Sequence, residues 1–330
     1  MKIEALDEAR IAEAAGVVTD CYREERKAVP ILPFCHSYEG VFKRGIEQLV
    51  RTGAGVAAIE AGRLVGFLSM MSIDAFKGLQ RGAYSPIYGH AAVSEGKRDI
   101  YRRMYEALGE TLVRNGCLTH ALTVFAHDRE AVDTWFWNGF GLRCVDAIRP
   151  VAPLESSSVT SHDYDIRMIT ADEAGAILPL HQEHVKYYSR SPMFMPVFKI
   201  PDTADIADLL SREGQMIWVA SRDDKPVAYM QVRVGGETFV SDDPEMLNIC
   251  GAYSLEDARG SGAGTAILAQ LLQWMHEHGY RRLGVDYESF NRLGSRFWLK
   301  YFEPFTYSLF RRLDERIVWA HGKRTDRTMF

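Results

Sequence analysis

Arg259-Gly260-Ser261-Gly262-Ala263-Gly264 sets three glycines within five residues, between two apolar runs. Before it lies Met246-Leu-Asn-Ile-Cys-Gly-Ala-Tyr253, which reads as a strand. After it lies Thr265-Ala-Ile-Leu-Ala-Gln-Leu-Leu-Gln-Trp-Met275, which reads as a helix. A strand, a glycine-rich turn and a helix start in that order form an anion cradle. The first N–H groups of a helix have no partner inside it, and the helix dipole adds partial positive charge there. Glycines let the backbone approach a phosphate without a Cβ between them. The stretch therefore predicts a phosphate-bearing ligand.

Spacing sorts the alternatives. No lysine follows the glycines, so the stretch is not a P-loop. In the frame G-x-G-x-x-G/A the third position is Thr265 from Gly260 and Ile267 from Gly262, so the dinucleotide fingerprint fails in both frames. What fits is R-x-x-G-x-G between a strand and a long helix. This resembles the acetyl-CoA pyrophosphate loop of the GNAT (Gcn5-related) N-acetyltransferases. Three glycines at a helix start that bound nothing would cost stability to no purpose.

The flanking segments follow the order of that family. Met216–Ala220 and Pro226–Val234 around Arg222-Asp-Asp-Lys225 read as a hairpin. Gly279 reads as a helix C-cap, followed by a strand from Arg282 to Ser289, Asn291, and a helix from Leu293 to Tyr301. A final hairpin is expected from Phe305–Phe310 and Arg316–Trp319.

The chain also repeats itself. Ile3 aligns with Ile166 and Trp135 with Trp298 at an offset of 163; Val65-Gly66-Phe67 aligns with Val227-Ala228-Tyr229 and Gly89 with Gly251 at 162. The expected fold class is α/β (α+β): two tandem GNAT-like domains, each a mixed, mainly antiparallel sheet flanked by helices. Residues 1–150 form the first, 151–163 a serine-rich linker and 164–330 the acetyl-CoA-binding domain. In the first half the elements are strand Met1–Leu6, helix Glu8–Arg23, hairpin Val56–Ile59 with Leu64–Ser72 and strand Ile87–Val93. Helix Tyr101–Arg114, strand His120–Ala126 and helix Ala131–Asn138 follow. At an offset of 162 Gly260, Gly262 and Gly264 fall opposite Arg98, Ile100 and Arg102, so the first half reads as a degenerate copy.

With 330 residues, 47% of them hydrophobic, the chain has material for two cores. A net charge of −5 argues against a nucleic-acid partner. No apolar run is long enough to span a bilayer, and acids occupy the N-terminus where a signal peptide would be apolar, so a cytoplasmic location without membrane attachment is expected. The five cysteines form no C-x-x-C pair, and no metal site is expected. His181 and His184 share a helical face but lack a third ligand.

The resemblance implies direct transfer of an acetyl group from acetyl-CoA, as co-substrate, to a primary amine of a small molecule or peptide. It assigns the pyrophosphate to the backbone of Gly260, Ser261, Gly262, Ala263, Gly264 and Thr265, with Arg259 at the loop entrance. It lays the pantetheine arm along Ala252, Tyr253 and Ser254, and makes Asn291 a cofactor contact. A backbone N–H near Tyr253 would stabilise the oxyanion, which requires the strand to splay from its neighbour. Candidate bases are Asp286 and Glu288, on one face of a strand, with Glu183 or His184 on the first helix of the second half. Where many members carry a tyrosine acid this chain has Trp298; Tyr301, one turn on, is the substitute. Tyr187-Tyr188 and Met193–Phe198 lie in the region that lines the acceptor site in the family, or else pack in a core or an inter-domain contact. The oligomeric state is expected to be a monomer or homodimer. Two alternatives stand beside the enzyme: a non-catalytic acyl-CoA sensor, and an acyltransferase for longer acyl chains.

Overall fold

The structure, a computed structural model, describes residues 1–34, 38–154, 164–236 and 238–317. In chain order the first half comprises β1 (Lys2–Ala5), α1 (Ile11–Ala28), α2 (Glu39–Thr52), β2 (Ala54–Glu60) and β3 (Arg63–Ile73). It continues with β4 (Arg81–Ser85), β5 (His90–Ala92), α3 (Lys97–Arg114), β6 (Cys117–Phe125), α4 (Arg129–Trp137) and β7 (Gly141–Pro150). The second half comprises β8 (Asp165–Met168), α5 (Ala174–Ser189), α6 (Thr203–Leu210), β9 (Gln215–Arg222) and β10 (Lys225–Val234). It ends with β11 (Met246–Ser254), α7 (Ala263–Glu277), β12 (Arg282–Glu288), α8 (Arg292–Tyr301) and β13 (Glu303–Arg312). The element order of the first half recurs in the second. Within each half the strand pairing is mixed and mainly antiparallel, as expected of the fold class.

Two compact units result, and they do not follow the two halves. The first is Met1–Val145 with the described residues from Pro304 onward; the second is Asp146–Glu303. Relative to the expected bounds, residues 146–150 belong to the second unit, and the strand from Pro304 belongs to the first. Most of the expected linker, 155–163, lies outside the described residues.

In the first unit the strands run β1-β2-β3-β4-β6-β13, with β5 also on β3. The β4–β6 pair is parallel; β13 lies antiparallel on β6 in the register Thr306↔Phe125 to Arg312↔Thr119. Among the described residues no second hairpin strand follows β13. Asp314 accepts the backbone N–H and guanidinium of Arg316, which turns the chain at 314–316; Ile317 continues that turn, and residues 318–319 lie outside the described residues. The core forms where α3 lays Ile100, Met104, Leu108 and Leu112, spaced by one helical turn, against Leu68, Leu122 and Trp135. Helix α2, not expected from the sequence, buries Phe42, Ile46 and Leu49 on one stripe.

In the second unit the strands run β12-β11-β10-β9-β8. Ile177 and Leu180 of α5 and Ile206 of α6 pack on Ile217, Val219 and Tyr229. Helix α7 buries Ile267, Leu271 and Met275. Each such side chain contributes about 2 kcal/mol relative to exposure.

Candidate functional site

The site grows from one irregularity in β11. Its pairing with β10 runs Ala228↔Ser254, Tyr229↔Tyr253, Met230↔Ala252 and Gln231↔Gly251, then jumps to Val232↔Ile249. Cys250 is therefore the extra residue of a β-bulge. On the other side β11 pairs in parallel with β12 from Met246↔Arg282 only as far as Ile249↔Val285. Past the bulge the two strands separate. The Leu255 N–H bonds the Val227 carbonyl of the β10 side at 2.9 Å. Alternation then directs the N–H groups of Ala252 and Ser254 to the opposite side, the one from which β12 has withdrawn. Sequence required this splay without being able to show it.

A cavity of about 710 Å³ opens at the separation. One end is the glycine loop. Gly260 and Gly262 have φ of 79° and 94°, a left-handed conformation that disfavours side chains, and a Cβ on either would meet nothing within 4 Å. Gly262 is the N-cap of α7 and makes no side-chain cap. The first helical bond runs from Ala266 N–H to the Gly262 carbonyl at 2.9 Å, so the N–H groups preceding it open outward at the loop. Gly264 differs: it lies inside the helix without positive φ, and a Cβ there would touch the Phe297 ring at 3.6 Å. Ser261 faces inward, its hydroxyl accepting from Tyr164 at 2.6 Å and donating to the Ala258 carbonyl.

Arg259 is held at the loop entrance. Its Nε donates to the Ser254 carbonyl at 3.3 Å and its Nη2 to the Tyr253 hydroxyl at 3.4 Å. The guanidinium also lies 5.5 Å from the ring centroids of Tyr187 and Tyr253. Ala252, Tyr253, Ser254, Gly260, Gly262, Ala263, Gly264, Thr265 and Asn291 line the same cavity. Asn291 is also the N-cap of α8: its Oδ1 accepts from Gly294 N–H at 3.1 Å and from the Tyr187 hydroxyl at 3.0 Å.

Asp286 and Glu288 both line the cavity, and so does the buried Tyr287 between them, so the lining does not follow strand alternation alone. The Tyr188 hydroxyl donates to Glu288 at 3.4 Å. The other expected base positions separate. Glu183 is outside the cavity lining and pairs with Lys186, whose hydrogen bond and charge lower its carboxyl pKa. His184 is in the lining, its Nδ1 2.6 Å from the Tyr229 hydroxyl. Burial, with the nearby His181 adding, lowers His184 to about 4. His181 stacks on Tyr229 with 4.3 Å between centroids and is lowered to about 4 by burial. Both rings are neutral at pH 7. Burial also pushes the Cys250 thiol up to about 11, which keeps it out of nucleophilic chemistry.

Tyr301 is not among the lining residues. Its hydroxyl lies 3.1 Å from that of Thr265 at the head of α7, and its ring packs on Phe297. Trp298 occupies the lining instead. The segment from Met193 to Phe198 is neither a cavity wall nor a core element: Met193 is buried, but Phe194 is 74% and Phe198 94% exposed. Sequence reasoning missed Tyr229 and Phe297 as site residues. Tyr229 sits opposite Tyr253 across the β10–β11 pair, and that register was the signal available for it.

The corresponding elements of the first unit are filled. Instead of a one-residue bulge, residues 86–89 interrupt the strand between β4 and β5. His90 donates from Nε2 to the Thr123 carbonyl at 2.8 Å, and its Nδ1 accepts from the Tyr101 hydroxyl at 3.0 Å, so its ring bridges β5 to β6. At the helix start, buried Lys97 pairs with Asp128 at 2.5 Å. One expectation is corrected here. Gly96, with φ of 68°, caps α3 as Gly262 caps α7, so a left-handed glycine is present at that helix start. The loop from β5 to that cap, residues 93–95, is shorter than the loop from β11 to its cap, residues 255–261. A fixed offset therefore fails across it.

Residues 180–302, the segment that builds the cavity, match the model of the acetyltransferase (GNAT) family. No curated protein matches the chain. Among solved structures, the GCN5-related N-acetyltransferase from Sphaerobacter thermophilus is 11% identical, with a TM-score of 0.58 over 94% of this chain and 95% of that one. A GCN5-related glucosamine N-acetyltransferase region of a fungal multi-domain GH3 β-N-acetylglucosaminidase is 13% identical, with a TM-score of 0.52 over 94% of this chain and 38% of that one. At these identities the likeness is one of fold, and the fold that the cavity and its surroundings share with both is that of the GNAT acetyltransferases.

Proposed function

We propose that the chain is an N-acetyltransferase whose second unit binds acetyl-CoA and passes the acetyl group to a primary amine. The observation that carries this is the meeting, in one cavity, of a bulge-driven splay at Cys250 and an uncapped helix start at Gly262. The residues fit the cofactor. Backbone N–H groups of Gly260 and of Gly262 to Thr265, with the Arg259 guanidinium, offer donors to a pyrophosphate, while the Ser261 N–H is already bonded to the Ala258 carbonyl. The unpaired edge of Ala252 and Ser254 offers strand-like bonds to the amides of a pantetheine arm. Acetyl-CoA, when bound, supplies an activated thioester. The chain's own part is to donate a backbone N–H to the oxygen that gains charge, with Ala252 the first such donor past the bulge; one such donor is worth roughly 3 kcal/mol.

Glu288 is the proposed base that removes the proton from the incoming ammonium, with Asp286 beside it on the same face. Tyr188 orients the Glu288 carboxylate. Asn291 holds the start of α8, and Tyr301 holds the end of α8 against α7. The first unit is proposed to be a copy of the fold without a cofactor site, since His90 and the Lys97–Asp128 pair fill the corresponding positions. A second reading, an acyl-CoA-binding protein without turnover, draws on Trp298 standing where the family carries its tyrosine. The test is acetyl-CoA binding together with release of free CoA thiol in the presence of a panel of primary amines. Binding with turnover supports the enzyme, binding without turnover for any amine supports the second reading, and no binding overturns both.

A further inference from the structure

The first unit contains a cavity of about 860 Å³, lined from α3, β6 and β13 and distinct from the site in the second unit. Tyr105, Val113, Leu313 and Ile317 give it an apolar wall, and Arg311 and Asn138 also line it. Arg311 is fixed by a chain of hydrogen bonds whose direction can be worked out. The Cys117 carbonyl can only accept, so His120 Nε2 donates to it at 3.1 Å. His120 Nδ1 must then accept from the Tyr105 hydroxyl at 2.8 Å. The Tyr105 oxygen in turn accepts from Arg311 Nη1 at 3.3 Å, and the guanidinium lies over the Tyr105 ring, 5.6 Å from its centroid. His120 is buried, which lowers it to about 4. The chain is thus neutral apart from Arg311.

Every partner that holds Arg311 is uncharged, and among the described residues no carboxylate pairs with it. The Asn138 side-chain nitrogen, buried, also has no acceptor among them. Elsewhere on the lining, Glu110 and Arg114 pair with each other. Glu106 stands exposed on the same helix face and disfavours ligands of high negative charge. A fixed guanidinium with no carboxylate partner among the described residues, an apolar wall and a repelling acid at the rim together select one class of ligand.

We propose that this cavity binds a small monocarboxylate with an apolar body, its carboxylate received by Arg311. The probe is hexanoate, titrated calorimetrically into the full chain, with hexanamide and citrate as controls. Hexanoate should bind saturably, and hexanamide and citrate should bind at least about tenfold more weakly, because a charge-assisted bond is lost or the Glu106 repulsion is met. Arg311→Gln retains a donor for Tyr105 but removes the charge, and should weaken hexanoate by about tenfold or more. Should that variant fail to fold by circular dichroism, Val113→Trp, which fills the apolar wall, serves in its place. Absence of hexanoate binding, equal binding of hexanamide, or binding unchanged in a folded variant would overturn the proposal.

Discussion

Substituting Gly262 by Asp and by Asn tests the anion cradle with folding effects held nearly constant. Both residues tolerate the left-handed conformation better than other side chains do. The space beyond the Gly262 Cα holds no atom within 4 Å of a Cβ, so either side chain fits without displacing a neighbour. The two differ by one negative charge at the mouth of the helix. A unit charge set about 5 Å from another interacts by roughly 1 to 3 kcal/mol for effective dielectric constants between about 80 and 20. The loop is half exposed, which favours the lower part of that range. Asp should therefore bind CoA about 5- to 30-fold more weakly than Asn, and the ratio should shrink toward one in about 1 M salt, where screening acts within about 3 Å. Calorimetric titration of CoA into both variants reads the ratio directly. Equal affinities for the two variants at low salt would refute the placement of a phosphate at this helix start.

Three further outcomes follow from positions already described. Gly262→Ala forces a left-handed alanine and should destabilise the chain by about 1–2 kcal/mol, whereas Gly264→Ala, helical and in ordinary contact with Phe297, should stabilise it by up to about 1 kcal/mol; urea midpoints of opposite sign relative to wild type check this, and a shared sign rejects it. Lys97→Met alone leaves the Asp128 carboxylate unpaired and should cost about 3 kcal/mol, while adding Asp128→Asn, which keeps the α4 cap, should recover much of that loss; a double variant no more stable than the single would show that the pair is not what couples the two positions. Stability should also fall as pH drops from 6.5 toward 4. His90, His120, His181 and His184 each have a folded pKa near 4, below the 6.5 of the unfolded chain, so the unfolded state binds the proton first. Their contribution is complete above about 6.5 and is lost at up to about 1.4 kcal/mol per pH unit for each ring. Urea midpoints between pH 7.5 and 4.5 test it, and a flat profile there would contradict the neutral burial of these rings.

What the sequence showed of this architecture was local. The glycine loop, the helix after it and the β9–β10 hairpin were legible because turn residues and periodicity lie within a few positions of one another. α2 carried an equally clear signal, Phe42, Ile46 and Leu49 spaced by four and three, but it lay outside the repeat that guided the reading. The Cys250 bulge was not legible, because a bulge is a mismatch of register between two strands and no single stretch contains it. Tyr301 illustrates the same limit. Spacing placed it one turn from Trp298, but packing at the α7–α8 contact decides which of the two faces the cavity. The loop before Gly96 defeated the repeat because shortening a loop preserves the cap while shifting the alignment.

The seating of β13 in the first unit has a consequence for how the chain is made. On the ribosome β6 emerges long before β13, and Phe125 must wait for Thr306 to supply its partner. Throughout that interval β6 presents one open strand edge, the kind of surface on which nascent chains pair wrongly. The two units cannot mature one after the other in the order of synthesis. The first to be translated is the last to be complete, and a chain released before Arg312 would carry an unfinished sheet at its beginning rather than at its end.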